Sequence, residues 1–158
     1  MEDLENLEER IERANELFKS GYNCSQSVVA AFADMYDFTE EQALRMSASF
    51  GGGIGRMRET CGAACGMFLL AGLEKGTVEP KDRKGKAANY ALVQELAAEF
   101  KKRNGSLICA ELLGLKGKEP IVSTPEERTR QYYAKRPCPK MVEEAAKIWV
   151  DYLSNKGK

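Results

Sequence analysis

Apolar residues return every three or four positions along most of the chain, and they almost never alternate. Leu4, Leu7, Ile11, Ala14, Leu17 and Phe18 share one face at helical period, and Gly21 ends that run. Asn23 is a favoured N-cap, and Val28, Val29, Phe32 and Met35 continue the period beyond it. Thr39 and Gln42 are spaced as a capping box ahead of Ala43, Leu44, Met46 and Phe50. The loop Gly51-Gly52-Gly53-Ile54-Gly55 then breaks the pattern and calls for unusual backbone angles or a very close approach. Thr60 is placed to cap a helix over 61–73, with Gly76 near its end. After a charged turn over 79–86, Tyr90, Val93, Leu96, Ala97 and Phe100 mark a long helix closed by Asn104 and Gly105. Ser106 opens a short helix reaching Leu113 and Gly114, and Thr124-Pro125-Glu126-Glu127 has the early-proline pattern of another start. The last helix begins at Pro139 and carries Val142, Ala146, Trp149, Val150 and Leu153. With no internal repeat or long linker, the pattern predicts one all-α domain over residues 1–158. The architecture expected is a single-domain bundle of about seven or eight helices.

Composition narrows the chemistry. A chain of 158 residues with 43% hydrophobic positions suits one soluble domain with a real core. Its 24 Lys+Arg are matched by 24 Asp+Glu, so neither nucleic acid nor an anionic membrane is an expected partner. The basic runs at 81–86, 101–103 and 128–136, the last with Tyr132 and Tyr133, read as solvated helix ends. Histidine is absent, which excludes Ser-His-Asp and Cys-His catalysis, HExxH zinc proteases and His-ligated haem or copper. The acidic residues 1–13 do not resemble a secretory signal, and the apolar stretch around 63–73 is too short to span a bilayer. A cytoplasmic location is expected, where thiols stay reduced and argue for metal or redox chemistry over a disulfide framework.

The thiols are Cys24, Cys61, Cys65, Cys109 and Cys138. Cys24 follows the Asn23 cap, Cys61 follows Thr60, Cys109 lies three residues after Ser106, and Cys138 directly precedes Pro139. Four of the five therefore stand at predicted helix starts, where free N–H groups and the helix dipole favour a thiolate. Arg56 and Arg58 ahead of Cys61, and Arg136 and Lys140 around Cys138, add to that expectation. Cys65 sits one turn beyond Cys61 on the same face and is an auxiliary candidate. The small face made by Gly62, Ala63, Gly66 and Ala71 predicts close helix packing around the Cys61 segment. The glycine loop could cradle an anion, but without G-K-[ST] or a preceding strand it reads better as backbone passing close to the Cys61 helix.

The element Cys61-Gly62-Ala63-Ala64-Cys65-Gly66 contains C-G-A-x-x-G. The glycine loop and Gly21-Tyr22-Asn23-Cys24 precede it, and Cys109 and Cys138 follow. In that order the chain resembles, over roughly 15–145, the family named C_GCAxxG_C_C after its motif and further cysteines. The family pattern falls on Cys24, Cys61, Cys109 and Cys138, leaving Cys65 at a variable position and Thr60 where the family name shows Gly. The resemblance implies a helical protein with proposed redox activity. A similar domain accompanies haem segments in split-Soret-type cytochromes, where a cysteine-bound iron–sulfur site has been suggested. This chain has no C-x-x-C-H haem motif, so the cytochrome role does not carry over.

The expected function is a small redox protein, an oxidoreductase or electron carrier, with Cys24, Cys61, Cys109 and Cys138 as the catalytic, cofactor-binding and metal-binding set. Those thiols would hold an iron–sulfur cluster or, with no cofactor, perform thiol–disulfide exchange. Zinc ranks below these, because the wide spacings do not form C-x-x-C knuckles. A redox partner is implied but not named, and the oligomeric state, a homo-oligomer included, stays open. The alternative is a non-enzymatic helical interaction module with structural cysteines.

Overall fold

The computed structural model describes residues 4–115 and 120–156, so the predicted domain limits at 1 and 158 lie outside the described residues. These residues form eight α-helices and no strand. The helices are α1 (Leu4–Lys19), α2 (Cys24–Ala30), α3 (Glu40–Ser47), α4 (Gly62–Lys75), α5 (Arg83–Asn104), α6 (Cys109–Leu112), α7 (Arg130–Lys135) and α8 (Cys138–Asn155). Two 3₁₀ turns, Ala33–Tyr36 and Ala48–Phe50, flank α3. The all-α expectation holds. No helix of the described residues is long and apolar enough to cross a membrane.

One core unites the helices. Trp149 and Val142 from α8, Phe100 from α5, Met67 and Leu70 from α4, and Val28 and Val29 from α2 are all fully buried. Helix α4 is the hub, packed against α2, α5 and α8, while α1 lies along α8. Its first six residues, Gly62 to Met67, are all buried, which suits a helix apolar on every side. The predicted close packing is present: a Cβ on Gly66 would lie 2.9 Å from the Val28 Cβ on α2. At the periphery Arg103 of α5 pairs with Asp151 of α8 and with Glu99 on its own helix.

Several boundaries differ from those read in the sequence. Both capping boxes, Asn23 with Gln26 and Thr39 with Gln42, form as expected. However, α2 ends at Ala30, and Phe32 and Met35 belong to the 3₁₀ turn or its entry, closed by Asp37 at φ 64°. Thr124-Pro125 does not start a helix: α7 begins only after Thr129, whose side chain accepts from the Tyr132 N–H. The stretch between is tied down by longer-range bonds, since Arg56 donates to the Val122 and Thr124 carbonyls at 2.6 Å each. Thr60 does not cap α4 either, because it pairs with Ile108 in an isolated antiparallel bridge. That bridge exchanges two short bonds, Cys61 N–H to the Leu107 carbonyl at 2.7 Å and Cys109 N–H to the Glu59 carbonyl at 2.6 Å. Ser106 likewise leaves the N-cap of α6 to Ile108, although its hydroxyl accepts from the Ile108 N–H at 2.9 Å.

Candidate functional site

The glycine loop does not cap a helix in the ordinary way. Gly52, Gly53, Ile54, Gly55 and Arg56 all have positive φ, followed by Arg58 at 63°. The chain therefore makes a short left-handed turn between the 3₁₀ turn at 48–50 and the bridge at Thr60. Ile54 N–H to the Phe50 carbonyl, Gly55 N–H to Ser49 and Glu59 N–H to Gly53 hold it closed, at 3.1, 2.7 and 2.9 Å. For the L-residues Ile54, Arg56 and Arg58 this conformation costs ~1–2 kcal/mol each. Such strain persists only where surrounding bonds over-determine it, and it concentrates at functional sites.

This turn, the 60/108 bridge and the α2 start bring the distant cysteines together. Asn23 fixes Cys24 twice: its capping box starts α2, and its Nδ2 donates to the Ala48 carbonyl at 2.9 Å. Cys61 is the N-cap of α4, Cys109 the first residue of α6, and Cys138 the first residue of α8. Packing between them leaves no slack. A Cβ on Gly62 would lie 2.4 Å from the Cys24 Sγ, and one on Gly53, itself at φ 75°, would lie 2.5 Å from the Cys109 Cβ.

Cys24, Cys61, Cys109 and Cys138 all line one cavity of about 300 Å³. Cys65 does not; its buried thiol turns to the Thr60 carbonyl at 3.8 Å. All five cysteines are free thiols. Nearby polar groups favour the thiolate forms: the Gly52 N–H at Cys24, the Ala63 and Ala64 N–H groups at Cys61, and Arg136 and the Tyr132 hydroxyl at Cys138. A guanidinium nitrogen of Arg58 approaches the Cys109 Sγ at 3.7 Å. Among the described residues, no three Cys, Asp or Glu side chains converge closely enough to hold one metal ion.

The helix starts are where the sequence put them, but at Cys24, Cys61 and Cys138 burial outweighs them. Burial pushes Cys24 and Cys61 up, more strongly than the neighbouring N–H groups pull them down. Burial also raises Cys138 to about 11, helped by the Cys24 and Cys109 thiols and opposed by Arg136 and Tyr132. Cys65 rises to about 11 for the same first reason. The dipole of one helix turn is a smaller effect than removing a thiolate from water.

The cavity wall also holds residues that the sequence reading left on the solvated surface. Arg128 donates to the Phe18 and Tyr22 carbonyls at 2.8 Å each, and its guanidinium lies 4.1 Å from the Phe18 ring centre. Arg136 pairs with Glu126 and lies over Tyr132. Arg56, Arg58, Arg128 and Arg136 line the cavity with Glu126 as the sole acidic residue of its lining among the described residues. Arg56, Arg58 and Arg136 were marked by their nearness to Cys61 and Cys138, whereas the local signal for Arg128 was tyrosine interleaved with arginine at 128–136, which balanced overall charge made look incidental.

No curated protein and no solved structure matches the chain. The family profile described as "Putative redox-active protein (C_GCAxxG_C_C)" matches residues 22–152, which takes in all four cavity cysteines and the strained turn. The chain belongs to the C_GCAxxG_C_C family.

Proposed function

We propose that this is an electron-transfer protein whose Cys24, Cys61, Cys109 and Cys138 hold an iron–sulfur cluster as thiolates. The observation carrying this reading is that four thiols, each at the start of a different helix, line one cavity, with polar groups around them that favour thiolates. Donors aimed at sulfur stabilise a thiolate far more than a thiol. With their titration pushed upward, Cys24, Cys61 and Cys138 are poor nucleophiles near neutrality, whereas a bound metal deprotonates its thiol ligands outright. A single zinc ion needs its four sulfurs ~2.3 Å from one point, and thiols spaced around a cavity do not favour that. When bound, a cluster supplies one-electron transfer at a potential tuned by hydrogen bonds to sulfur and by burial. Here the amides of Gly52, Ala63 and Ala64, the Tyr132 hydroxyl and Arg58 would do the tuning, while Cys65 stays outside the ligand set. Five free thiols accord with a reducing, cytoplasmic setting.

Anaerobic purification followed by visible spectroscopy and iron, sulfide and zinc analysis tests the proposal. Iron with stoichiometric acid-labile sulfide and charge-transfer absorption is expected; metal-free protein under those conditions refutes the cluster.

The contact between Arg58 and Cys109 supports a second reading, thiol–disulfide exchange. In it the Cys109 thiolate attacks a substrate disulfide, forming a mixed disulfide and releasing one substrate thiolate. A second cavity thiolate then attacks the Cys109 sulfur, releasing the other and leaving a protein disulfide, so two electrons pass to substrate. Reversible loss of two thiols in metal-free protein would select this reading. Neither metal nor thiol cycling would leave the interaction module.

A further inference from the structure

We propose that the mouth of the thiol cavity is a binding site for a small oxyanion, a phosphate, carboxylate or sulfur oxyanion, held by Arg58 together with Arg56. The chain as a whole has no net charge, yet this one cavity is lined by four arginines and one glutamate. The four are not equivalent. Arg128 is committed to two carbonyls and an aromatic ring, and Arg136 to Glu126. Arg56 spends one guanidinium nitrogen on two carbonyls of the 120–129 stretch and meets no carboxylate among the described residues. Arg58 gives one guanidinium nitrogen to the Cys109 sulfur at 3.7 Å and pairs with no carboxylate among the described residues.

The backbone places these two side chains at a cost. Arg56 and Arg58 both take left-handed φ, at 61° and 63°, where L-residues are strained. Burial and the nearby charges of Arg58 and Arg136 together disfavour the protonated form of Arg56. Like-charge repulsion among these arginines is relieved by a bound anion. A guanidinium takes an oxyanion through two parallel N–H···O bonds, and a cavity with low-dielectric walls focuses its field on a small ion. Because the charges line an inward cavity of about 300 Å³ and not a protruding face, a small anion fits better than an acidic protein surface. The site stands on the arginines and does not rest on what the thiols hold.

Calorimetric titration of the full chain as isolated, at constant ionic strength, with inorganic phosphate, sulfate and acetate in separate arms, tests the site and sorts the anions. Saturable binding of at least one is expected, weakened roughly tenfold by Arg58→Gln, less by Arg58→Lys, and unchanged by Arg45→Gln on the remote face of α3. Arg56→Gln supplies an independent variant should Arg58→Gln lose its far-ultraviolet circular dichroism. Absence of saturable binding in all three arms overturns the proposal, as does equal affinity in wild type and both glutamine variants. Binding by metal-free protein that vanishes on iron loading also overturns it, since the arginines then serve a cluster. Binding of polyglutamate without any small anion overturns it in favour of a docking surface. Protein that lacks iron yet binds an anion through Arg58 would fail the cluster reading alone.

Discussion

Replacing Gly62 by alanine adds one methyl group where α2, α4 and the glycine loop meet. The new Cβ would stand 2.4 Å from the Cys24 Sγ, 2.7 Å from the Phe50 carbonyl oxygen and 3.4 Å from the Gly51 Cα. Two of those neighbours are backbone, and the third is a buried thiol on the first residue of a capped helix. None yields cheaply. Overpacking of this kind costs ~1–3 kcal/mol. The higher helix propensity of alanine returns at most ~1 kcal/mol, and less at a first-turn position. The net expectation is a loss of ~1–2 kcal/mol, or a fall in Tm of roughly 2–8 °C for a domain of this size. Gly72→Ala is the internal control, in the same helix with nothing within 4 Å of its added Cβ. There only the propensity gain acts, so stability should rise by ~0.5–1 kcal/mol. Paired chemical denaturation followed by circular dichroism reads both signs from one helix. If Gly62→Ala is as stable as Gly72→Ala, the close approach of Cys24 to α4 is wrong, and the geometry of the thiol cavity with it.

Other expectations follow from the same contacts. Asn23→Ala removes the capping box of α2 and the bond to the Ala48 carbonyl, and should cost ~1–2 kcal/mol of unfolding free energy in a denaturant titration. In metal-free protein, Cys138 titrates near 11 when folded, against an ordinary 9.0. The unfolded chain therefore loses that proton first. Its contribution to stability is intact below pH 9.0, declines above it and is gone once pH has risen through about 11, and denaturant midpoints across that interval check the sign. Alkylation of Cys138, followed by mass spectrometry, should keep accelerating past pH 9.0 up to about 11. Cys65→Ala should leave the iron content of anaerobically purified protein unchanged, whereas Cys109→Ser should lower it; equal losses would place Cys65 in the ligand set.

The features legible in the chain are those decided within a few residues. Asn23 with Gln26, and Thr39 with Gln42, satisfy helix N–H groups three positions away, so spacing and side-chain chemistry suffice to read them. The apolar period of α1, α5 and α8 is equally local, as is the place of four cysteines at helix starts. The order of those cysteines around C-G-A-x-x-G was enough to recognise the family.

What tertiary structure decided depends on neighbours distant in the chain. The bridge between Thr60 and Ile108 displaced the expected cap of α4, because its bonds hold the backbone around Thr60 against a segment distant in the sequence. Arg56, reaching 66 and 68 residues onward to the Val122 and Thr124 carbonyls, kept that stretch from opening the helix its Thr-Pro pair invites. Thiol acidity reversed for the same reason: a helix start is a local property, but burial is set by every element packed around the thiol. The local code put the cysteines at helix ends; only the packing of α2, α4, α6 and α8 turned those ends toward one cavity and ringed it with arginine.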